Sequence, residues 1–599
     1  MSTLTGINSV QAYVEIDGAP LDPIVAGYLI EAEVDSSLFL PDQAKLVFQG
    51  GPDLILTAGV ITIGVILTIQ VETGEVPMPL FTGEVTALEL DYGPTGSRTI
   101  VRGLDMSHRL MKGTATRALP DMVASEAVAL ILGEAEVLPG EIIPTATPYL
   151  QLNQANVSDW VFIQQLAELE GYDAYMDAEG LFNFCPSGIA EEGLPPVMSY
   201  EEPVVSGTQL VLGKNLLRLK ASVTGADQVG VVQVRGWDPI EGIEVIGEAP
   251  AITTAVQSVD PAVEPAAIGE MLGGVQFVVT DRNYPNEGAA ETRARAVASQ
   301  IASSSIEMYG ECYGSPSVVA GSNVSLGMAG IPFDGMYVVS EAKHRFIPGS
   351  SGYTTWFTIG GRRNRSLLAL SSPGGGGGGT HAVRPTIPGV VVAEVVDSED
   401  PLELARVKVR FPWLDDMYVS DFARVRQDHV TEGSGCLWIP EVGTEVLVAF
   451  DRGDINSPYV LGCLYNMTMP PIPPPDVEGL VNERRIQSRM RHMIQFQDGE
   501  EAQGITLISG EEDCLIRIDA MEQAIQIVSA GMINVEAAAE LSITAGGDIS
   551  ITTEGALTLE GGEVAINGES LNLSGEGDVT VTAEGAVMVA GSVIMLGEG

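Results

Sequence analysis

At 599 residues the chain is too long for one hydrophobic core and is expected to divide into three or more domains. With 45% hydrophobic residues but only 6% aromatic ones, and 69 glycines, it favours many short strands and tight turns over helical bundles. Thirty basic residues against eighty acidic ones leave a net charge of −50, which argues against nucleic acid and anionic membrane surfaces as partners.

The N-terminal residues, MSTLTGINSVQAYVEIDG, show no basic stretch followed by an apolar core, so no signal peptide is expected. Residues 54–71 (LILTAGVITIGVILTIQV) run for eighteen positions without a charge, near the lower limit for a membrane span. Their β-branched residues, Gly59 and Gly64 favour two buried strands joined by a turn. Apolar spacing predicts helices over 122–136 and 157–170, with Ser158 and Asp159 as candidate N-caps of the second. A third helix is predicted over 287–301, where AETRARAVASQI mixes good helix formers with arginines. Six glycines at 374–379 lack the Lys and helix of a phosphate-binding loop, since Thr380 and His381 follow, and read as a linker. Next come the strand patterns RVKVRF, EVLVAF and YVLGCLY, as in a small barrel. The proline cluster Pro470, Pro471, Pro473, Pro474 and Pro475 then reads as an extended connector.

The last segment repeats an apolar pair of the form Φ-x-Φ. The pairs are Ile525/Ile527, Ile533/Val535, Leu541/Ile543, Ile549/Ile551, Leu557/Leu559, Val564/Ile566, Leu571/Leu573, Val579/Val581, Val587/Val589 and Val593/Met595, at spacings of 8, 8, 8, 8, 7, 7, 8, 8 and 6. Positions i and i+2 of a strand share a face, and the polar gap turns the chain before the next pair. A two-residue apolar face is too small to fold alone, but three chains wound about one axis bring these faces into a shared core. A single-chain solenoid is the alternative, although its coils need about twenty residues. Calcium-binding nonapeptide repeats are a more remote one, because Gly546-Gly547-Asp548 and Gly561-Gly562 have the wrong period and lack the third glycine. No Lys or Arg follows Arg517, and residues 522–599 hold twelve acidic side chains, giving a trimer −36 over this segment.

Sites of chemistry are not evident. The five histidines (His108, His344, His381, His429, His492) are dispersed, without HExxH or a His/Cys cluster, so no metal site and no cofactor is expected. No GxSxG elbow occurs, and no catalytic residue is assigned. Asp415-Asp416 and Glu511-Glu512-Asp513 read as solvated turns, because neighbours on a strand point to opposite faces. His108 and His344 read as packing or hydrogen-bonding groups. Cys185, Cys312, Cys436, Cys463 and Cys514 form no CxxC pair, which suggests reduced thiols and assembly in the cytoplasm.

Several motifs in order carry a resemblance. Residues 406–413 (RVKVRFPW), Trp438-Ile439-Pro440, 442–448 (VGTEVLV), Gly453-Asp454, Ser457-Pro458 and 462–466 (GCLYN) resemble the oligonucleotide-binding (OB)-type barrel of VgrG and phage baseplate spike proteins. Residues 486–498, with Ile486, His492, Ile494, Phe496 and Asp498, are similar to the strand leading into the VgrG needle. Residues 80–85 (LFTGEV), 101–110 (VRGLDMSHRL), Ser158-Asp159-Trp160, Gly171-Tyr172 and 335–339 (GMYVV) with His344 resemble the phage late-control D and baseplate-hub family.

The resemblance implies a mainly β chain with β-barrel hub subdomains and a few helices, a small OB-type barrel, and a C-terminal triple-stranded, trimeric β-helix. The expected boundaries are a hub at 1–373 with a helical insertion at about 111–180, a linker at 374–380, a barrel at 381–468, a proline-rich lead-in at 469–485 and a needle at 486–599. It further implies a homotrimer whose hub meets a hexameric tube and baseplate proteins. A PAAR-like tip protein is expected on Val593, Met595, Leu596, Gly597, Glu598 and Gly599. No lysozyme domain stands between barrel and needle and no effector follows it, so a non-enzymatic spike is expected, without nucleic acid or stable membrane insertion. It would be assembled in the cytoplasm and act in a phage-tail-like particle or a type VI-like apparatus. The rival classes are a trimeric adhesin fibre and a cell-wall-degrading spike with a concealed active site.

Overall fold

Alternation of buried and exposed side chains lays down the main sheet. Strand Leu29–Ser37 buries Ala32, Val34 and Ser36, and its neighbour Gln43–Gln49 buries Ala44, Leu46 and Phe48. The computed structural model describes residues 11–72, 77–94, 96–188, 194–348, 352–360, 386–471 and 480–595. The glycine run, His381 and Leu596 to Gly599 lie outside these residues. The chain forms two units, Met1–Pro474 and Pro475–Gly599.

In the first unit, a fourteen-stranded sheet joins residues far apart in sequence. Strand Leu29–Ser37 pairs antiparallel with Gly335–Ile347, setting His344 opposite Val34. On the N-terminal side of this seam a core gathers Leu46, Phe48, Phe81 and Val101; on the other, a second core gathers Met308, Leu326, Tyr337 and Phe357. The one sheet thus carries two cores, on either side of the seam.

Residues 106–186 leave the sheet as a mixed insertion. Helix Asp159–Glu170 starts at Ser158, whose side chain accepts the Val161 N–H at 3.4 Å, as the cap reading predicted. It stops at Gly171, whose φ of +74° suits glycine and which lies close against Ala296. The other predicted helices form as Ala124–Glu134 and Glu287–Ser303. The latter packs on the strands Val231–Asp238 and Ile243–Pro250, where Gly247 lets the strand approach the Ala290 backbone more closely than a Cβ permits.

One expectation is corrected. Residues 54–71 are not two strands: Pro52–Ala58 is a short helix burying Ile55, and only Ile66–Glu72 is a strand. Pro52 sits in the first turn, where the missing N–H costs nothing and the fixed φ favours a helix start. No helix among the described residues is long and apolar enough to cross a membrane.

The barrel has five strands in the order Lys408–Arg410, Val390–Asp397, Glu445–Phe450, Pro458–Cys463 and Arg424–Val425. Its core centres on Phe411, whose ring meets Tyr418 and Phe450 at 6.0 and 5.5 Å. Asp400 closes a loop by binding the Arg406 guanidinium at 2.6 Å, a contact that holds its carboxyl well below the usual range.

The second unit begins as an antiparallel meander of Glu483–Gln487, Met493–Asp498, Gln503–Ile508, Cys514–Asp519 and Ala524–Ser529. Beyond Ala530 the described residues form no strand and no main-chain hydrogen bond with one another.

Candidate assembly surface

The repeated pairs of the C-terminal segment fall in two settings. Ile525 and Ile527 lie in the last meander strand, opposite Ile518 and Ile516. They complete cross-strand apolar rows: Ile486, Ile494, Leu507, Ile516 and Ile527 in one, and Phe496, Ile505, Ile518 and Ile525 in the next. Most of these side chains remain half-exposed, so the meander presents an apolar face that the described residues do not cover. Sequence reasoning passed over Leu507, Ile516 and Ile518, although the period-two runs ITLI and LIRI carried the signal.

The later pairs stand on a chain that turns regularly. The backbone bends at 538–539, 546–547, 554–555, 562, 569, 576–577, 584–585 and 592, once in each polar gap. Ile533, Val535, Leu541, Ile543, Ile549, Ile551, Leu557, Leu559, Val564, Ile566, Leu571, Leu573, Val579, Val581, Val587 and Val589 are between 53% and 71% exposed. Val593 and Met595 are exposed likewise. The intervening positions Asn534, Ser542, Ser550, Thr558, Asn572 and Thr580 are polar, whereas Ala565, Met588 and Ile594 are not. Such a segment leaves its apolar side chains exposed and forms no main-chain ladder among its described residues.

The remaining singled-out residues are structural in their surroundings. His344 is buried, with Nδ1 at 2.8 Å from the Tyr353 hydroxyl and 3.2 Å from Thr355 Oγ1, and burial pushes its pKa down to about 4. His108 Nδ1 lies 2.7 Å from the Asp105 carbonyl oxygen, and His492 Nδ1 accepts the Gly510 N–H at 3.1 Å. Asp415 accepts the N–H of Met417 at 2.7 Å, a turn contact. The five cysteines are free thiols, and no three His, Cys, Asp or Glu side chains among the described residues converge on a common point.

Within the first unit the barrel is fastened to the hub. Arg452 Nη1 donates to the carbonyls of Thr280 and Arg282 at 3.0 and 2.8 Å. Asn153 donates to Asn456 at 2.6 Å, Gln151 donates to the Val419 carbonyl at 3.1 Å, and Ala118 and Ala155 pack against the barrel core. The barrel also exposes Trp413, Leu437, Trp438 and Ile439. Sequence gave no signal for the Arg452 contact, because its acceptors are backbone atoms.

The first unit thus joins one continuous sheet and its helical insertion to a small barrel, and the second ends in unpartnered octads. Residues 391–465 match the type VI secretion system/phage-baseplate injector OB domain, and residues 60–347 match the Alg8 N-terminal domain. The type VI secretion system spike protein VgrG3 of Vibrio cholerae is 30% identical over 153 residues, which are 23% of this chain and 15% of that protein. The actin cross-linking toxin VgrG1 of the same species is 29% identical over 154 residues, 23% of this chain and 14% of the toxin. The chain therefore matches less than a sixth of the length of these curated relatives. A chain of the lidded PdpA–VgrG complex of Francisella shares the fold with a TM-score of 0.50 at 9% identity, over 87% of this chain and 80% of that one. Residues 391–465 thus carry the injector-type OB domain, and the chain is similar to VgrG spike proteins over about a quarter of its length.

Proposed function

We propose that this protein is the trimeric central spike and hub of a contractile injection system, joining an inner tube to a membrane-piercing needle. The observation that carries this reading is the shaft, where a bend in every polar gap and exposed apolar pairs leave each chain incomplete by itself. Three copies bury the pairs, each contributing about 1.5–3 kcal/mol as an upper figure. The hub lobes take the hexameric tube and baseplate proteins, and a PAAR-like tip protein covers the strand edges at Val593 and Met595. An acidic shaft is not drawn to anionic lipid, so entry into a membrane is driven by contraction. Assembly takes place in the cytoplasm and action across an envelope, in a particle of the phage-tail-like or type VI kind.

The reading is non-enzymatic. One relative is named as a toxin, but the match to it covers 14% of that protein and does not extend its activity to this chain. Light scattering on the purified protein tests the proposal. A mass near three times 63.1 kDa, lost on deleting residues 476–599, supports it; a monomer of 63.1 kDa overturns the interwound shaft.

A further inference from the structure

The barrel gathers its cations on one side. Val407, Val409 and Ala423 turn into its core, so alternation sends Arg406, Lys408 and Arg410 outward from one row. Phe422, Arg424 and Arg426 point outward from the row beside it, and the antiparallel bridge between Val407 and Ala423 joins the two. Five of the thirty basic residues in a chain of net charge −50 thus share one face. In chain order these rows are the second and third of the barrel, the face on which OB folds take extended ligands.

Two of these charges are left open. Arg406 is bound to Asp400, Arg410 to Glu394 at 2.6 Å and Arg426 to Asp428 at 2.8 Å. Lys408 and Arg424 form no ion pair among the described residues. Asp397, opposite Lys408 in the ladder, instead accepts the Glu399 N–H at 2.8 Å. Lys408 Nζ stands 4.7 Å from the centre of the Phe422 ring, which Arg406 also faces at 5.3 Å, and the Arg424 guanidinium stands 5.9 Å from that of Tyr459. The rings therefore steady cations, and the face offers charge in place of bare aromatic planes for stacking bases. The loop entering this face is preset. Asp400 accepts the N–H groups of Leu402, Leu404 and Arg406 at 3.1, 2.9 and 3.2 Å, while Glu403 and Ala405 hold φ of +56° and +58°, a costly setting for residues with a Cβ. This arrangement displays Leu402 and Leu404 to solvent, at 48% and 49% exposure, close in sequence to the cations.

We propose that this face of the barrel binds an extended segment of a partner protein that carries carboxylates beside apolar side chains. The carboxylates pair with Lys408 and Arg424, and the apolar side chains cover Leu402 and Leu404. Charge complementarity selects the acidic segment, and a loop already fixed in place reduces the entropy lost when the segment docks. Nucleic acid fits less well, because the rings are taken by cations and the rest of the chain is acidic.

Fluorescence anisotropy on the full chain tests this with a labelled peptide of Glu-Glu-Leu repeats, in about 0.15 M salt, where charges beyond about 8 Å are screened. A peptide of Gln-Gln-Leu repeats and an oligothymidylate serve as controls. The acidic peptide is expected to bind at least about tenfold more tightly than either control. Lys408→Glu with Arg424→Glu is expected to weaken it by about tenfold or more, and Leu402→Ser with Leu404→Ser by about tenfold. No binding of the acidic peptide, binding undiminished in either variant, or a control that binds as well overturns the proposal. A wild-type trimer that becomes a monomer in the charge variant also overturns it, because the face is then a contact between copies. Should the charge variant fail to fold, Lys408→Gln with Arg424→Gln decides it by the same criterion.

Discussion

Arg293, fully enclosed in helix Glu287–Ser303, donates through Nη2 to Glu168 Oε1 at 2.8 Å and through Nη1 to the Glu168 backbone carbonyl at 2.8 Å. It thereby pins the end of helix Asp159–Glu170 to helix Glu287–Ser303, with Asp281 3.6 Å away. Arg293→Ala removes both bonds to Glu168 and opens a cavity, and is expected to cost the first unit about 3–5 kcal/mol. Urea unfolding followed by circular dichroism checks this; a loss under about 1 kcal/mol contradicts the pairing.

Arg452 performs the corresponding task between hub and barrel, reaching two carbonyls from a turn residue with φ of +51°. Being half-exposed, it is expected to contribute about 1.5 kcal/mol, the lower end for a charged donor. In calorimetry, Arg452→Ala should split the barrel transition from that of the hub. A single unshifted transition would mean that Ala118, Ala155 and Asn153 suffice to couple them.

These contacts mark what the sequence could and could not disclose. The octads were legible because each bend needs its own small or polar gap, and the Ser158 cap because its partner is three residues away. The misreading of residues 54–71 arose where β-branched composition competed with a single proline at a helix start. The pairing of Leu29–Ser37 with Gly335–Ile347 was hidden, since strand register depends on partners about three hundred positions apart. The apolar rows of the meander were written in the sequence as alternation, yet their alignment into one face required the registers of four consecutive hairpins.

His344 gives stability a slope on the acid side. Burial holds it neutral with a pKa of about 4 against the ordinary 6.5, so between those values the unfolded chain binds the extra proton. The second lobe should lose up to about 1.4 kcal/mol per pH unit as pH falls from 6.5 towards 4. His344→Gln is expected to flatten this slope whatever its effect on absolute stability, read as thermal midpoints at about pH 5 and about pH 7.

The shaft makes opposite demands on the two faces of one strand. In the proposed trimer Leu557 and Leu559 point inward and Thr558 between them points out, so Leu557→Asp should abolish the trimer while Thr558→Asp leaves its mass unchanged. A solenoid of one chain would show no change of mass in either. Charge supplies an independent test, because residues 522–599 hold twelve acidic side chains per chain and no Lys or Arg to offset them. Repulsion between them reaches about 10 Å at 0.1 M salt but only about 3 Å at 1 M. Salt should therefore strengthen the trimer against heat, opposite to the trend for an assembly held by surface ion pairs. A heat-resistant gel band that weakens as salt is raised would show that ion pairs elsewhere in the chain, and not the apolar rungs, hold the three copies together.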